Sequence, residues 1–240
     1  MAVELIAEVS SNHGGHVPLA KEFIKRFAAA GADWVKFQTT RVAHLNPVDP
    51  QYTWFMRAEL SDDAHAELKA CCEAEGTKFL TTVYNAAEVP MLKALGLRAI
   101  KIGSGEAGEP LLAKAVRQNF DRILVSTGLS NPFNGESPFY GCYGVQWLHC
   151  VTHYPCPPWL AVPKKGYSRG FRGWSDHCVG LDGCRYALIA GAQIIEKHVQ
   201  LGGQARPAKD FEATVDEWTA LRQLADEADP KRFLKRWQYA

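Results

Sequence analysis

Short runs rich in β-branched and aromatic residues recur along the chain, and between several of them the spacing of apolar positions shifts from alternation to a three-to-four repeat. The strand-like runs are Glu4–Val9, Trp34–Thr39, Lys78–Val83, Ala99–Gly103, Arg122–Ser126, Val145–Val151, Gly173–His177 and Gln193–Val199. After the first, Pro18 suits an opening helical turn, Leu19, Phe23 and Phe27 share a face, and Gly31 can end the helix. After the second, Ser61 can cap a helix whose positive end holds Asp62 and Asp63, with Gly76 beyond it. Eight strands alternating with helices predict an α/β fold, a single (β/α)8 TIM barrel over residues 1–240. A doubly wound open sheet is the alternative. The segments LSNPFNGESPFYGCYG and YPCPPWLAVPKKGYSRGFRG carry too much Pro and Gly for long helices. Shortened helices after strands 5 and 6 follow, their place on the wall taken by loops, a partner subunit or both.

Polar residues fall on one parity of each run, the parity that faces a barrel's interior near its C-terminal mouth. Glu8 and Ser10 share it, as do Lys36 and Gln38, flanked by Val35 and Phe37. Thr82 stands at the end of the third run, Lys101 and Gly103 in the fourth, and Ser126 ends the fifth. Cys150, Thr152 and Tyr154 continue the pattern, then Ser175 with His177, and Glu196 with His198. Solvated strand ends account for one or two such residues, not a set drawn from all eight strands.

Composition narrows the chemistry. With 27 basic and 26 acidic residues the chain lacks the basic excess of a general nucleic-acid or membrane-surface binder. Seven cysteines without a CxxC spacing predict reduced thiols in a cytoplasmic setting rather than a disulfide framework or thiolate zinc site. The N-terminus lacks the pattern of a signal peptide, and no run is long enough to span a membrane.

His177 and His198 lie 21 residues apart, close to one short βα repeat, so equivalent places on adjacent strands would bring both imidazoles to one mouth. Histidine is the usual nitrogen ligand of first-row divalent metals, although the spacing alone also suits two unrelated histidines. Asp176 and Glu196 beside them are candidate supporting or substrate-facing carboxylates. Inward Lys36 and Lys101 are costly unless they meet an anion. KIGSGE and STG, at 101–106 and 126–128, add turns whose backbone N–H groups can approach one. Together these predict a phosphate-bearing substrate.

The runs IAEVSSNHGG (6–15), GADWVKFQTT (31–40), KFLTTVY (78–84), KIGSGE (101–106), VSTGLS (125–130), LHCVTHYP (148–155), WSDHCVG (174–180) and IIEKHVQL (194–201) resemble, in order, the blocks of the sialic acid (N-acetylneuraminate) synthase family. The likeness covers roughly residues 4–225, and the ordered set is far more specific than any single block. It implies a transferase that condenses phosphoenolpyruvate with N-acetylmannosamine or a related aldose to a nonulosonate, releasing phosphate. By the same likeness His177 and His198 are metal ligands, usually for manganese, with magnesium or cobalt possible. Lys101, Thr82, Ser104, Gly105 and Ser126 match contacts to phosphoenolpyruvate, and Lys36 and Gln38 match inward positions near the substrates. Tyr154 matches a sugar-side contact, Thr152 a position for a side-chain amide or hydroxyl, and Asp210 a sugar-binding aspartate after strand 8. Glu8 and Glu106 match active-site carboxylates, and Glu196 joins them as a catalytic candidate. The resemblance also implies a homodimer.

Family members carry a C-terminal antifreeze-like domain that places an arginine over the sugar. This sequence ends at Ala240, after its last predicted barrel helix, so that domain is expected to be absent. The basic segment PKKGYSRGFR (163–172), with Arg169 and Arg172, is the candidate replacement cation; a solvated loop is the other reading. Two further readings remain: condensation of phosphoenolpyruvate with a different aldehyde, and a barrel that has lost catalysis and serves as a binding module.

Overall fold

The computed structural model describes residues 2–131, 133–135, 137–164, 166–167 and 170–227. Eight parallel strands close on themselves in chain order. They are β1 (Glu4–Ser10), β2 (Trp34–Thr39), β3 (Lys78–Val83), β4 (Ala99–Ile102), β5 (Arg122–Ser126), β6 (Val145–Cys150), β7 (Phe171–Asp176) and β8 (Ile194–His198). The open-sheet alternative is thereby excluded, because β8 pairs with β1 from Glu4↔Ile194 to Glu8↔His198. Strand positions agree with the alternation; β7 starts two residues earlier than its predicted run, and β4, β6 and β8 are trimmed at their ends.

The outer layer comprises α1 (Val17–Ala29), α2 (Tyr52–Ala58), α3 (Asp62–Ala74), α4 (Val89–Ala94), α5 (Pro110–Asn119), α6 (Asp182–Ile189) and α7 (Val215–Glu227). Local chemistry sets their ends. His16 caps α1 by accepting from the Leu19 amide at 3.2 Å, and Ser61 caps α3 by accepting from Ala64 at 3.1 Å. Ala20, Phe23, Ile24 and Phe27 of α1 are buried on the face the apolar spacing marks. Among the described residues no α-helix follows β5, and only a short 3-10 turn at Pro158–Ala161 follows β6.

Two apolar layers hold the barrel. Strand backs and helices share an outer core in which Phe27 meets Trp218 edge-on at 5.7 Å. Inside, Ile6, Trp34, Leu80, Ala99, Leu124, Leu148 and Ile194 plug the lower half. This apolar layer separates the polar residues of the C-terminal mouth from Glu4, Arg122 and Gln146 at the opposite end.

The loop after β1 carries a buried histidine with a consequence for acid stability. His13 is 1% exposed, its Nδ1 accepts from the Gly15 amide at 3.0 Å, and its ring lies 5.7 Å from Phe37. Burial, above all, lowers its pKa from 6.5 to about 4. A base with a depressed folded pKa stabilises the fold above its unfolded value and loses that contribution as pH falls. Between pH 6.5 and pH 4 this one group should cost about 3 kcal/mol of unfolding free energy. His65, fully buried and shifted in the same direction, adds to the trend. Urea unfolding of His13→Gln should show a shallower fall over that window than the parent chain; parallel curves would assign the loss elsewhere.

Candidate active site

Strand register brings the inward residues to a few levels. Glu8 stands level with both Lys36 and His198, Thr82 with Gln38 and Lys101, and Ser175 with Cys150 and Glu196. Together they line a cavity of about 270 Å3 at the C-terminal mouth. Twelve of the residues assigned by the sequence line it with the two histidines: Glu8, Lys36, Gln38, Thr82, Lys101, Ser104, Gly105, Glu106, Ser126, Thr152, Tyr154 and Glu196.

Four buried charges form its floor. Lys36 is ion-paired with Glu8, donates to Thr82 Oγ1 at 2.7 Å and lies 3.8 Å from Glu196. Lys101 donates to Ser126 Oγ at 2.6 Å and to the Ile102 carbonyl at 3.1 Å, and also lies 3.8 Å from Glu196. Gln38 donates to Glu8 at 3.2 Å, and Ser175 donates to Glu196 at 3.0 Å. The inward lysines thus already meet anions within the protein, so their presence alone does not require a phosphate.

Electrostatics separates the two carboxylates. Burial outweighs the attraction of Lys36 and raises Glu8 from 4.5 to about 7. Burial pushes Glu196 the same way, but Lys101 and Lys36 together overcome it and hold this carboxyl below its ordinary value. For Lys36, burial is opposed and overcome by Glu196 and Glu8, so its pKa rises; for Lys101 burial prevails and its pKa falls. Near neutrality the floor therefore gains net positive charge whenever Glu8 takes a proton.

Beside Lys101 the backbone opens towards the cavity. The Gly128 amide donates to Ser104 Oγ at 2.9 Å, so the Ser104 oxygen accepts there and its hydroxyl proton can only be donated onward. A Cβ on Gly128 would sit 2.6 Å from Thr152 Cγ2 and 2.9 Å from Ser104 Oγ. Glu106 folds over Gly103, where a Cβ would lie 2.5 Å from its Oε2, and burial raises the Glu106 pKa.

Across the cavity the rings of His177 and His198 lie 5.4 Å apart. His177 Nδ1 donates to the Val151 carbonyl at 2.9 Å, since that carbonyl only accepts, and this leaves Nε2 with its lone pair. His198 Nδ1 is buried without a hydrogen-bond partner. Burial lowers both pKa values, and His177 adds to the effect on His198, so both rings are neutral donors of the kind a divalent cation takes. Among the described residues no group of three or more His, Cys, Asp or Glu is placed to hold an ion. A cation here would complete its shell with water or substrate oxygens. The Tyr154 ring lies against His177, tilted by 37° at 3.9 Å, and Phe211 meets His198 edge-on at 5.3 Å.

Several expectations are corrected. Asp210 is exposed in the loop after β8 and does not line the cavity. Asp176 is not substrate-facing; its parity sends it outward to Lys197, behind the rings, which leaves only the supporting reading. Arg172 lies near the start of β7, in a cavity shared with Glu4 and Arg122 at the opposite end of the barrel. A residue that opens a strand faces the N-terminal end, so Arg172 does not supply a cation to the mouth. Arg169 and Lys165 lie outside the described residues, as does the tail from 228 to 240. Ser10 closes β1 with φ of 56° and does not line the cavity. Conversely, Tyr84, Cys150 and Ser175 line it without having been assigned a role. Tyr84 stands two residues past Thr82, so the same parity rule extended past the strand end would have found it.

Comparison with known proteins agrees with this architecture. The model of the NeuB family matches residues 23–230. The chain is 31% identical over 226 residues to N,N'-diacetyllegionaminic acid synthase of Campylobacter jejuni, covering 82% of this chain and 67% of that one. It is 30% identical over 226 residues to N-acetylneuraminate-9-phosphate synthase of Drosophila melanogaster, covering 83% and 60%. The chain spans about three fifths to two thirds of the length of such curated relatives. The fold matches that of the N-acetylneuraminic acid synthetase of Leptospira borgpetersenii with a TM-score of 0.84, at 24% identity and over 98% and 85% of the two chains. From the family match over most of its length, the chain belongs to the NeuB family.

Proposed function

We propose that this barrel condenses phosphoenolpyruvate with an aldose of the N-acetylmannosamine type to a nonulosonate, releasing inorganic phosphate. The observation that carries this reading is the two-sided cavity. Lys101, Ser126, Ser104 and the Gly128 turn form one wall suited to a phosphate, and two neutral imidazoles form the other. The synthases named among the relatives support the reaction class.

Lys101 and the Ser104 hydroxyl would bind the phosphate, and Lys36 the neighbouring carboxylate, each through charge-assisted hydrogen bonds. His177 and His198 would hold a divalent cation, manganese by preference, which when bound supplies Lewis-acid polarisation of the aldehyde oxygen. C3 of phosphoenolpyruvate attacks the aldehyde carbon, and water adds to the resulting cation at C2. Phosphate then leaves with its bridging oxygen. Glu106, whose pKa burial raises, would give a proton to the aldehyde oxygen; Glu8, with its pKa near 7, would take one from the water. Tyr154 and Thr152 line the side open to the sugar.

The test incubates the protein with phosphoenolpyruvate, Mn2+ and a panel of aldoses, following phosphate release and the mass of the product. Release with N-acetylmannosamine supports the reading. Release only with another aldehyde changes the acceptor, and no release with any of them refutes catalysis by this chain.

A further inference from the structure

Behind the two histidines, on the outer side of β7 and β8, a second buried ion pair joins the segments that carry them. The side chains of Lys197 and Asp176 are 1% and 0% exposed, and Lys197 Nζ lies 2.5 Å from Asp176 Oδ2. The same ammonium donates to the Cys178 carbonyl at 2.9 Å and to the Phe211 carbonyl at 3.2 Å, which uses all three of its protons. Asp176 Oδ1 accepts from Trp174 Nε1 at 2.6 Å and from the Cys178 amide at 3.3 Å.

What the ammonium touches is telling. Asp176 and Cys178 flank His177, Lys197 immediately precedes His198, and the Phe211 ring stands 5.3 Å from His198 and 6.3 Å from His177. One buried charge therefore ties together both imidazole-bearing strand ends and the aromatic ring packed on them. An ion pair at this depth is a poor source of net stability, since apolar side chains of similar volume often serve as well. Its geometric role is the better account of so many directed bonds at one point.

We propose that Lys197 is a positioning residue, anchored by Asp176, that sets the spacing of His177 and His198 and the placement of Phe211 and thereby tunes divalent-cation binding at the mouth. This rests on the reading that the two histidines hold a cation. It also accounts for an outward lysine and aspartate in the same motifs as the histidines, next to residues that face the cavity.

The test compares the parent chain with Asp176→Asn/Lys197→Met, which removes both charges together. Three quantities are read: the thermal midpoint without metal, the affinity for Mn2+ alone by electron paramagnetic resonance, and the His177 Nδ1–H signal by NMR. Expected is a folded variant whose Mn2+ affinity is weaker by about 10–100-fold, the range for loss of groups that orient metal ligands, with a shifted Nδ1–H signal. A double variant that keeps parental Mn2+ affinity and the parental Nδ1–H signal overturns the proposal. If the double variant does not fold, Lys197→Arg carries the test with the same readouts, because it retains the charge but not the three-way reach. If the parent chain itself binds no Mn2+, the cation reading of the mouth fails. The positioning role then stands or falls on the Nδ1–H signal, with an unshifted signal overturning it.

Discussion

Replacing Lys36 by methionine should cost the fold about 3–5 kcal/mol and remove turnover, because it leaves the buried Glu8 without its cation. Lys36 is 3% exposed; it is ion-paired with Glu8 and lies 3.8 Å from Glu196. Methionine fills most of the volume and removes the charge, so the loss is electrostatic rather than a cavity effect. The penalty depends on pH with a definite sign. Glu8 has a folded pKa of about 7 against 4.5 ordinarily, and without Lys36 it moves further up. Because a raised folded carboxyl pKa costs stability progressively as pH rises above the unfolded value, the penalty is smaller at pH 6 and larger at pH 8. Adding Glu8→Gln to Lys36→Met should restore stability at pH 8, as measured by urea unfolding. A double variant no more stable than Lys36→Met would show that the ion pair is not what the lysine supports.

The second large effect is at His198. Its Nδ1 is buried without a partner, so removing the ring breaks no hydrogen bond at that atom, and His198→Ala should remain folded. In the parent chain Mn2+ at 100 times its dissociation constant should raise stability by about 2.7 kcal/mol through preferential binding to the folded state. The variant should lose that increment. Turnover should fall by about three orders of magnitude, corresponding to the several kcal/mol that a Lewis acid supplies to developing charge on oxygen. Differential scanning calorimetry with and without Mn2+, alongside phosphate-release kinetics, checks both parts. A His198→Ala protein that still gained thermal stability from Mn2+ would move the cation away from this pair.

Particular residues show how much of the site was readable in one dimension. Lys36 and Gln38 were expected inside because they alternate with Val35 and Phe37, and both line the cavity. The same reasoning, which depends only on the two-residue repeat of a strand, placed Thr82, Lys101, Ser126, Cys150, Ser175, His177, Glu196 and His198. The erosion of the helices after β5 and β6 was also legible as shortening, since Pro and Gly act on the backbone locally; among the described residues it goes as far as no α-helix in either place. Asp210 was different. It lies in a loop where no repeat constrains direction, and a family likeness alone assigned it to the sugar.

The sequence by itself determined where the strands lie, which of their side chains face inward, and that lysines, carboxylates and histidines meet at one mouth. Those follow from periodicity, a property of neighbouring residues. Tertiary structure alone decided which charges pair: that Lys36 meets Glu8 and that Glu196 stands 3.8 Å from both lysines. It also decided that Arg172 opens the far end of the barrel and that Asp176 turns outward to hold Lys197. These depend on the register between strands far apart in sequence and on the closure of β8 against β1, a long-range geometry that no local pattern encodes.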